Sequence, residues 1–231
     1  MKNILITGVS SGLGEALAKT YLENGDNVYA IGKTTPKELN HYPHFFFFPY
    51  DLSKTFILQA SIQEFVEKHS FDIVILNAGI LGGIQELAKT DLMIAKEVME
   101  INVWANKELI DLLSTHCHVK QIVGISSGAA LNGSKGWGAY SLSKTALNML
   151  LKVYAKELPD IHFTALAPGL IDTPMVRHII ENVDDQKFSS VKQLKEGDIR
   201  TPQQAAKLLI NTFPKLLEYE SGSFLDVRTM D

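Results

Sequence analysis

Short runs of apolar residues alternate along the chain with longer stretches in which apolar positions recur every third or fourth residue. The short runs lie at 3–6, 27–31, 45–48, 72–76, 119–125, 161–167 and 222–227. Continuous apolar runs of this length read as strands buried on both faces. The four successive phenylalanines at 45–48 are read in the same way. The longer stretches predict helices. Residues 15–24 place Ala16, Leu17 and Tyr21 at helical spacing and stop at Gly25, a glycine C-cap. Residues 57–69 carry Ile62, Phe65 and Val66 after Ser53, a candidate N-cap. One long helix is expected over 89–115 and another over 140–158, stopped by Pro159. A further helix starts at Thr201-Pro202, in the favoured cap-then-proline order, and runs to about Phe213.

Alternating strands and helices predict an α/β fold. No compositional break or internal repeat divides the 231 residues, so 1–231 reads as one domain. Two stretches stand apart. Residues 33–44 are too short for a full crossover helix, so that side of the sheet should be thinly covered. Residues 176–200 are polar and aperiodic, and the segment 170–200 is a candidate lid over a strand edge. Composition narrows the classes. A net charge of −4 without a basic block argues against nucleic-acid binding. One cysteine, Cys117, excludes a disulfide within the chain and fits a cytoplasmic setting. The N-terminus runs straight into a strand without a signal-peptide pattern, and no apolar run is long enough to span a bilayer. His116-Cys117-His118 has no second ligand cluster at metal spacing and reads as a helix–strand junction.

The chemistry-bearing residues fall at strand ends. Thr7-Gly-Val-Ser-Ser-Gly-Leu-Gly14 joins the first strand to the first helix, as in the opening of a dinucleotide-binding unit. Gly8 permits the tight turn, Gly12 clears space for a pyrophosphate, and Gly14 lets helix and strand pack closely. Ser10, Ser11 and Leu13 complete the loop, and the helix start offers N–H groups to phosphates. After the second strand, an acidic residue would hold the 2′-hydroxyl of NAD. Gly32-Lys33-Thr34-Thr35 instead offers a cation and hydroxyls suited to a 2′-phosphate, so NADP(H) is favoured over NAD(H). Asp51-Leu52 closes the third strand, within reach of an adenine. Asn77-Ala78-Gly79 closes the fourth: the amide can tie strand ends, and the glycine admits a ribose. Tyr140 and Lys144 lie one helical turn apart, so an ammonium can stabilise a phenolate. Ser127 ends the fifth strand and supplies a hydroxyl at the same sheet edge. The set describes an enzyme that passes a hydride and a proton to a carbonyl.

These motifs together resemble the short-chain dehydrogenase/reductase family. The resemblance covers nearly the whole chain: Thr7-Gly8-x-x-x-Gly12-x-Gly14, Asp51, Asn77-Ala78-Gly79, Asn102, Ser127, Tyr140-x-x-x-Lys144, and Pro168-Gly169 with Thr173. Ser127 and Tyr140 also stand thirteen positions apart, as in the family. The resemblance implies a Rossmann-like, doubly wound parallel sheet of about seven strands with helices on both faces. It makes Tyr140 the proton donor in reduction, with Lys144 lowering its pKa and binding the nicotinamide ribose. Ser127 would orient the substrate oxygen, and Asn102 would hold a water linking Lys144 to solvent. Asp51 would bind the adenine amino group, while Ile171 backbone and the Thr173 hydroxyl would hold the carboxamide. It further implies a homodimer or homotetramer formed through the helices at 89–115 and 138–158. The C-terminal stretch lacks the glycine pair often found in the family's last strand.

The expected activity is NADPH-dependent reduction of a ketone or aldehyde. The alternatives are alcohol oxidation with NAD and a non-catalytic NADP(H) sensor. Pocket walls are expected from 128–137, 81–84 and 170–200, with Leu131, Trp137, Met175 and Val176 favouring an apolar or aromatic carbonyl compound. No charged residue stands out as a partner for a substrate anion.

Overall fold

The computed structural model describes residues 1–230. In chain order, β1 (Asn3–Thr7) leads into α1 (Gly12–Glu23), β2 (Asn27–Gly32) and β3 (Phe45–Pro49). Helix α2 (Leu58–Val66), β4 (Ser70–Phe71) and β5 (Ile73–Leu76) follow. Next come α3 (Leu92–Met99), a π-helical turn at Glu100–Trp104 and α4 (Ala105–His116). Then come β6 (His118–Val119), β7 (Gln121–Ile125), α5 (Ala129–Asn132), α6 (Gly138–Glu157) and β8 (His162–Ala167). Helices α7 (Pro174–Asn182), α8 (Ser189–Glu196) and α9 (Pro202–Thr212) precede β9 (Ser223–Asp226).

Seven strands form one parallel sheet in the order β3-β2-β1-β5-β7-β8-β9. Successive side chains of a strand point to opposite faces. Leu5, Val74 and Ile122 therefore join a core with α2, α4 and α6, whereas Ile4, Ile6, Ile75 and Val123 join a second core with α1 and α9. This two-sided burial explains the continuous apolar runs. The chain builds outward from β1 to β3, then returns to the other side of β1 with β5. The order reverses there, beside the C-terminal ends of β1 and β5, where an α/β sheet places its ligand.

Several expectations change. The phenylalanine run is the edge strand β3, with Phe46 40% exposed and stacked 4.9 Å from the Tyr29 ring. It has a neighbour on one side only, and between β2 and β3 the structure forms just one 3-10 turn, Lys37–Leu39. The thin cover expected there is present; the double burial is not. Ser53 caps no helix: its N–H and hydroxyl both donate to Asp51 Oδ1, at 3.0 and 2.8 Å, and α2 begins only at Leu58. The long helix expected over 89–115 is interrupted. Thr90 is extended, Asp91 caps α3 by accepting from Met93 N at 2.8 Å, and the π-turn separates α3 from α4. The strand expected over 119–125 divides at Lys120, whose ammonium lies 2.6 Å from Asp72. Its first part pairs with Ser70–Phe71 in a separate two-stranded ladder. Cys117, beside that ladder, donates to Val66 O at 3.2 Å. No described helix is long and apolar enough to cross a membrane.

Helix α1 reaches β1 only because Gly14 has no side chain. A Cβ there would fall inside the contact shell of Gly8 O and 2.5 Å from Asn77 Nδ2. Gly124 in β7 has a softer neighbour: its Cβ would meet the end of the Leu151 side chain at 2.6 Å. Backbone cannot step aside as a leucine methyl can. Gly14→Ala should therefore destabilise the fold by about 2 kcal/mol or more and Gly124→Ala by less. Urea midpoints of the two variants check the order.

Candidate active site

The strand ends open on a cleft of about 620 Å³. One end is built by the β1–α1 loop. Gly8 and Gly12 both adopt left-handed backbone, with φ of +73° and +63°. A Cβ on Gly8 would come 2.8 Å from Ala78 Cα, and one on Gly12 would come 3.2 Å from Thr173 Cγ2. Ser10, Ser11, Leu13 and Gly14 line the same end, so the first turn of α1 brings its N–H groups to the cleft. Asn77 ties the two central strands together, as expected. Its Nδ2 donates to Thr7 O and Gly8 O at 3.0 Å each, and Thr7 Oγ1 accepts from Asn77 N at 3.0 Å and Ala78 N at 3.1 Å.

Lys33, Asp51 and Leu52 line the adjoining wall. Lys33 and Asp51 are themselves an ion pair, Nζ to Oδ2 at 3.1 Å. Burial pulls the Asp51 carboxyl up, but the Ser53 hydrogen bonds and Lys33 outweigh it, leaving the group below its ordinary value.

At the other end, β7 and α6 bring Ser127, Tyr140 and Lys144 to one wall. Lys144 is 4% exposed, donates to Ile125 O at 2.7 Å and sits 5.6 Å from the centre of the Tyr140 ring. One turn further along α6, Asn148 Oδ1 accepts from Ser126 Oγ at 2.6 Å. Ser127 Oγ accepts from Ala129 N at 3.2 Å, which fixes the hydroxyl at the strand tip. Burial pushes the Tyr140 phenol up to about 12, with the Ser127 hydroxyl pulling the other way. Burial lowers the Lys144 ammonium to about 8.

Asn102 is completely buried and does not line the cleft. Its Oδ1 accepts from Ile80 N at 2.8 Å, and its Nδ2 donates to Ile80 O at 2.9 Å and Ser143 Oγ at 2.9 Å. Its backbone carbonyl, in the π-turn, accepts from Asn106 Nδ2 at 2.8 Å. Its side chain clamps the Gly79–Ile80 backbone to α6. Gly79 fills the gap between them: a Cβ there would lie 3.1 Å from Asn102 Oδ1 and 3.5 Å from Lys144 Nζ.

Pro168, Gly169, Ile171 and Thr173 complete the cleft beyond β8. Thr173 Oγ1 caps α7, accepting from Val176 N at 3.3 Å, and its O–H can still donate. The stretch expected to be aperiodic holds α7 and α8, and both ends of it are pinned. Arg200 N donates to Leu170 O at 3.0 Å, and Asp172 N donates to Arg200 O at 2.9 Å. Over the cleft, Trp137 Nε1 donates to Ser190 Oγ of α8 at 2.7 Å.

The model of the family described as short chain dehydrogenase matches residues 2–184. The chain belongs to the short chain dehydrogenase family. It is therefore an oxidoreductase that uses a nicotinamide dinucleotide. It is 32% identical to an uncharacterized oxidoreductase of Schizosaccharomyces pombe, over 97% of this chain and 96% of that protein. It is 31% identical to a benzil reductase ((S)-benzoin forming) of Bacillus cereus, over 95% of each. Among solved structures, a short chain dehydrogenases/reductase from Saccharomyces cerevisiae superposes with a TM-score of 0.85 at 25% identity, covering 98% of this chain and 96% of that one.

In this short chain dehydrogenase, Trp137, Met175 and Val176 line the cleft as expected. Leu131 does not: it is 68% exposed and faces a shallow depression beside β9. Leu81 and Ile84 lie behind the wall, packed with Ile179 and Phe188. Asn132, within the expected wall 128–137, lines the cleft, as does Arg228, which sequence reasoning passed over. Arg228 sits just past the last strand, with only the alternating Ser-Phe-Leu-Asp run to place it.

The depressed Lys144 value has a thermodynamic signature. Between about pH 8 and the ordinary lysine range near 10.5, the unfolded chain holds a proton that the folded chain has lost. The Lys144 contribution to stability therefore rises with pH through that window. Wild type should gain on Lys144→Met by up to about 3 kcal/mol across it. Paired denaturation curves at pH 7.5 and 10 check this; a gap that does not change with pH would refute it.

Proposed function

We propose that this dehydrogenase is an NADPH-dependent carbonyl reductase for small, largely apolar ketones or aldehydes. One observation carries the reading: Ser127, Tyr140 and Lys144 share a cleft that Trp137, Met175, Val176 and Ile179 also line. The reductases of benzil among its relatives, from Bacillus cereus and, at 28% identity over 99% of each chain, Bacillus subtilis, support a carbonyl substrate.

The cofactor fits this chain's residues. Gly8, Gly12 and Gly79 present bare backbone to the cleft, and the α1 N-terminus faces it with N–H groups. Ser10, Ser11 and Lys33 hold the phosphates, Asp51 and Leu52 the adenine, Ala78, Gly79 and Lys144 the ribose, and Pro168, Gly169, Ile171 and Thr173 the carboxamide. When bound, a reduced nicotinamide supplies the hydride. Ser127 donates a hydrogen bond to the substrate oxygen and orients it. Tyr140 is fully protonated near neutral pH, the state a proton donor requires. It gives that proton to the substrate oxygen as the carbon is reduced. The Lys144 charge stabilises the phenolate left behind. Asn102 keeps Ile80 and α6 at a fixed separation, so the Tyr140–Lys144 pair stays aligned.

The segment 170–200 acts as the lid, hinged where Leu170 and Asp172 pair with Arg200, within a single domain of 1–231. Exposed Leu142, Met149 and Val153 on α6, with Trp104 at the π-turn, suit a homo-oligomer of the cytoplasmic enzyme.

Tyr140→Phe removes the proton but not the ring. It should lower kcat by about a hundredfold or more while cofactor binding changes little. Turnover and fluorescence titration on the same preparation test this, and near-normal turnover would sink the mechanism. Lys33→Ala should weaken NADPH by about tenfold and leave NADH almost unchanged. Equal losses for the two cofactors would favour NAD(H), because Asp51 already engages the Lys33 ammonium.

A further inference from the structure

Strand β7 ends at Ile125, and the sheet holds the chain for one residue more: Ser126 N donates to Leu166 O at 2.8 Å. Ser127, which the proposed chemistry sets against the substrate oxygen, lies beyond the ladder. The chain then makes the single turn α5 and runs through Gly133 and Gly136, both left-handed with φ of +56° and +93°, to the start of α6. Within this turn Ser127 is held by its neighbours. Its carbonyl accepts from Ala130 N at 3.0 Å and its hydroxyl from Ala129 N at 3.2 Å. Those bonds fix the serine within its own turn but not relative to Tyr140, which α6 carries.

Two side chains of α6 make that connection, one on each side of the serine. Before it, Asn148 Oδ1 accepts from the hydroxyl of buried Ser126 at 2.6 Å. After it, Thr145 Oγ1 donates to Ala130 O at 2.7 Å. A helical threonine ordinarily bonds the carbonyl four residues back. Here that carbonyl, Ser141 O, is the more distant acceptor, at 2.9 Å. Asn148 stands one turn beyond Lys144 and Thr145 directly after it, so both are rigidly tied to the Tyr140–Lys144 pair. Neither is among the residues that line the cleft.

We propose that Asn148 and Thr145 are positioning residues that hold the Ser127 hydroxyl in register with the Tyr140 phenol. This rests on the reading that Ser127 and Tyr140 meet at the oxygen being reduced, and it adds what keeps them together. The two residues touch neither substrate nor cofactor; they act through Ser127. An oxygen that accepts from Ser127 while taking a proton from Tyr140 tolerates little change in their separation, because a misplacement of about 1 Å can cost about a hundredfold in rate. The sheet cannot supply that precision past Ser126, and the glycines that follow α5 cannot supply it from the other side.

The test measures NADPH-dependent reduction of benzil by Asn148→Leu, Thr145→Val and the two combined, each in the wild-type and the Ser127→Ala backgrounds. In the wild-type background each single variant should lower kcat by about tenfold and the pair by more, while the NADPH dissociation constant, read by fluorescence titration, stays within about twofold. In the Ser127→Ala background the same substitutions should cost less than about threefold, because no serine is left to misplace. Thr145→Ser keeps the hydroxyl and should stay within about threefold of wild type. Ser126→Ala/Asn148→Leu removes both partners of the first bond and leaves no unpaired hydroxyl, so its urea midpoint should return toward wild type while kcat stays low. Equal losses in the two backgrounds, or a kcat that recovers together with the urea midpoint, would overturn the inference and leave the carbonyl-reductase reading standing. A Ser127→Ala variant as active as wild type, or a wild type that does not reduce benzil, would sink that reading, and the inference with it.

Discussion

A lysine ammonium taken out of water is the constraint around which this structure is arranged. Desolvation disfavours the charge, so the group must be met by fixed oxygen atoms or lose its proton. Here Ile125 O meets Lys144, and α6 must come close enough to β7 for that contact to form. The four residues 124–127, at and just past the end of β7, are matched in turn to one face of the helix. Gly124 lies beneath Leu147 and Leu151, Ile125 O accepts from Lys144, Ser126 binds Asn148, and Ser127 lies near Tyr140. Residues 140, 144, 148 and 151 share that face through their helical spacing. The geometry of the proton-handling residues therefore follows from one helix–strand contact.

The opposite end of the cleft depends on close approach in the same way, but with glycines in place of a charge. Gly8 and Gly14 let β1, α1 and the end of β5 meet around Asn77, whose amide joins carbonyls of the β1 end. Between the two ends, Asn102 connects them mechanically. It binds Ile80, just beyond the Asn77-Ala78-Gly79 turn, and Ser143, on the turn of α6 that carries Tyr140 and Lys144. A π-turn interrupts the helix at this residue, in line with the tendency of such turns to lie at functional sites.

Much of this was legible in the sequence because the signals were local. Gly8, Gly12 and Gly14 mark a turn at fixed spacing, Tyr140 and Lys144 mark one helix face, and the apolar runs mark strands buried on two sides. The misreadings came from quantities that no local pattern carries. Four phenylalanines describe a strand but not its place in the sheet order, so the run reads as buried on both faces although β3 lies at the edge. The break between Lys89 and Leu92 and the π-turn at Asn102 sit within residues that all tolerate a helix, and only tertiary contacts select the irregular backbone. Asn102 itself was found, but its partners, Ile80 and Ser143, lie 22 and 41 positions away. Arg228 was missed for the same reason: the register of β9 on β8, not any motif, brings it to Gly169 and Gly128.

The pinned neck at Leu170, Asp172 and Arg200 has a consequence for the history of the chain. The 27 residues between Asp172 and Arg200 leave the sheet and return to it at one point, held by two backbone hydrogen bonds. Backbone bonds are indifferent to side-chain identity, and the entropy of closing a loop grows only slowly with its length. The intervening helices can lengthen, shorten or change composition without disturbing the register of β8 or the start of α9. Half of the substrate pocket is in this sense a detachable cassette, free to diverge while the cofactor half, held by glycines and buried amides, is not.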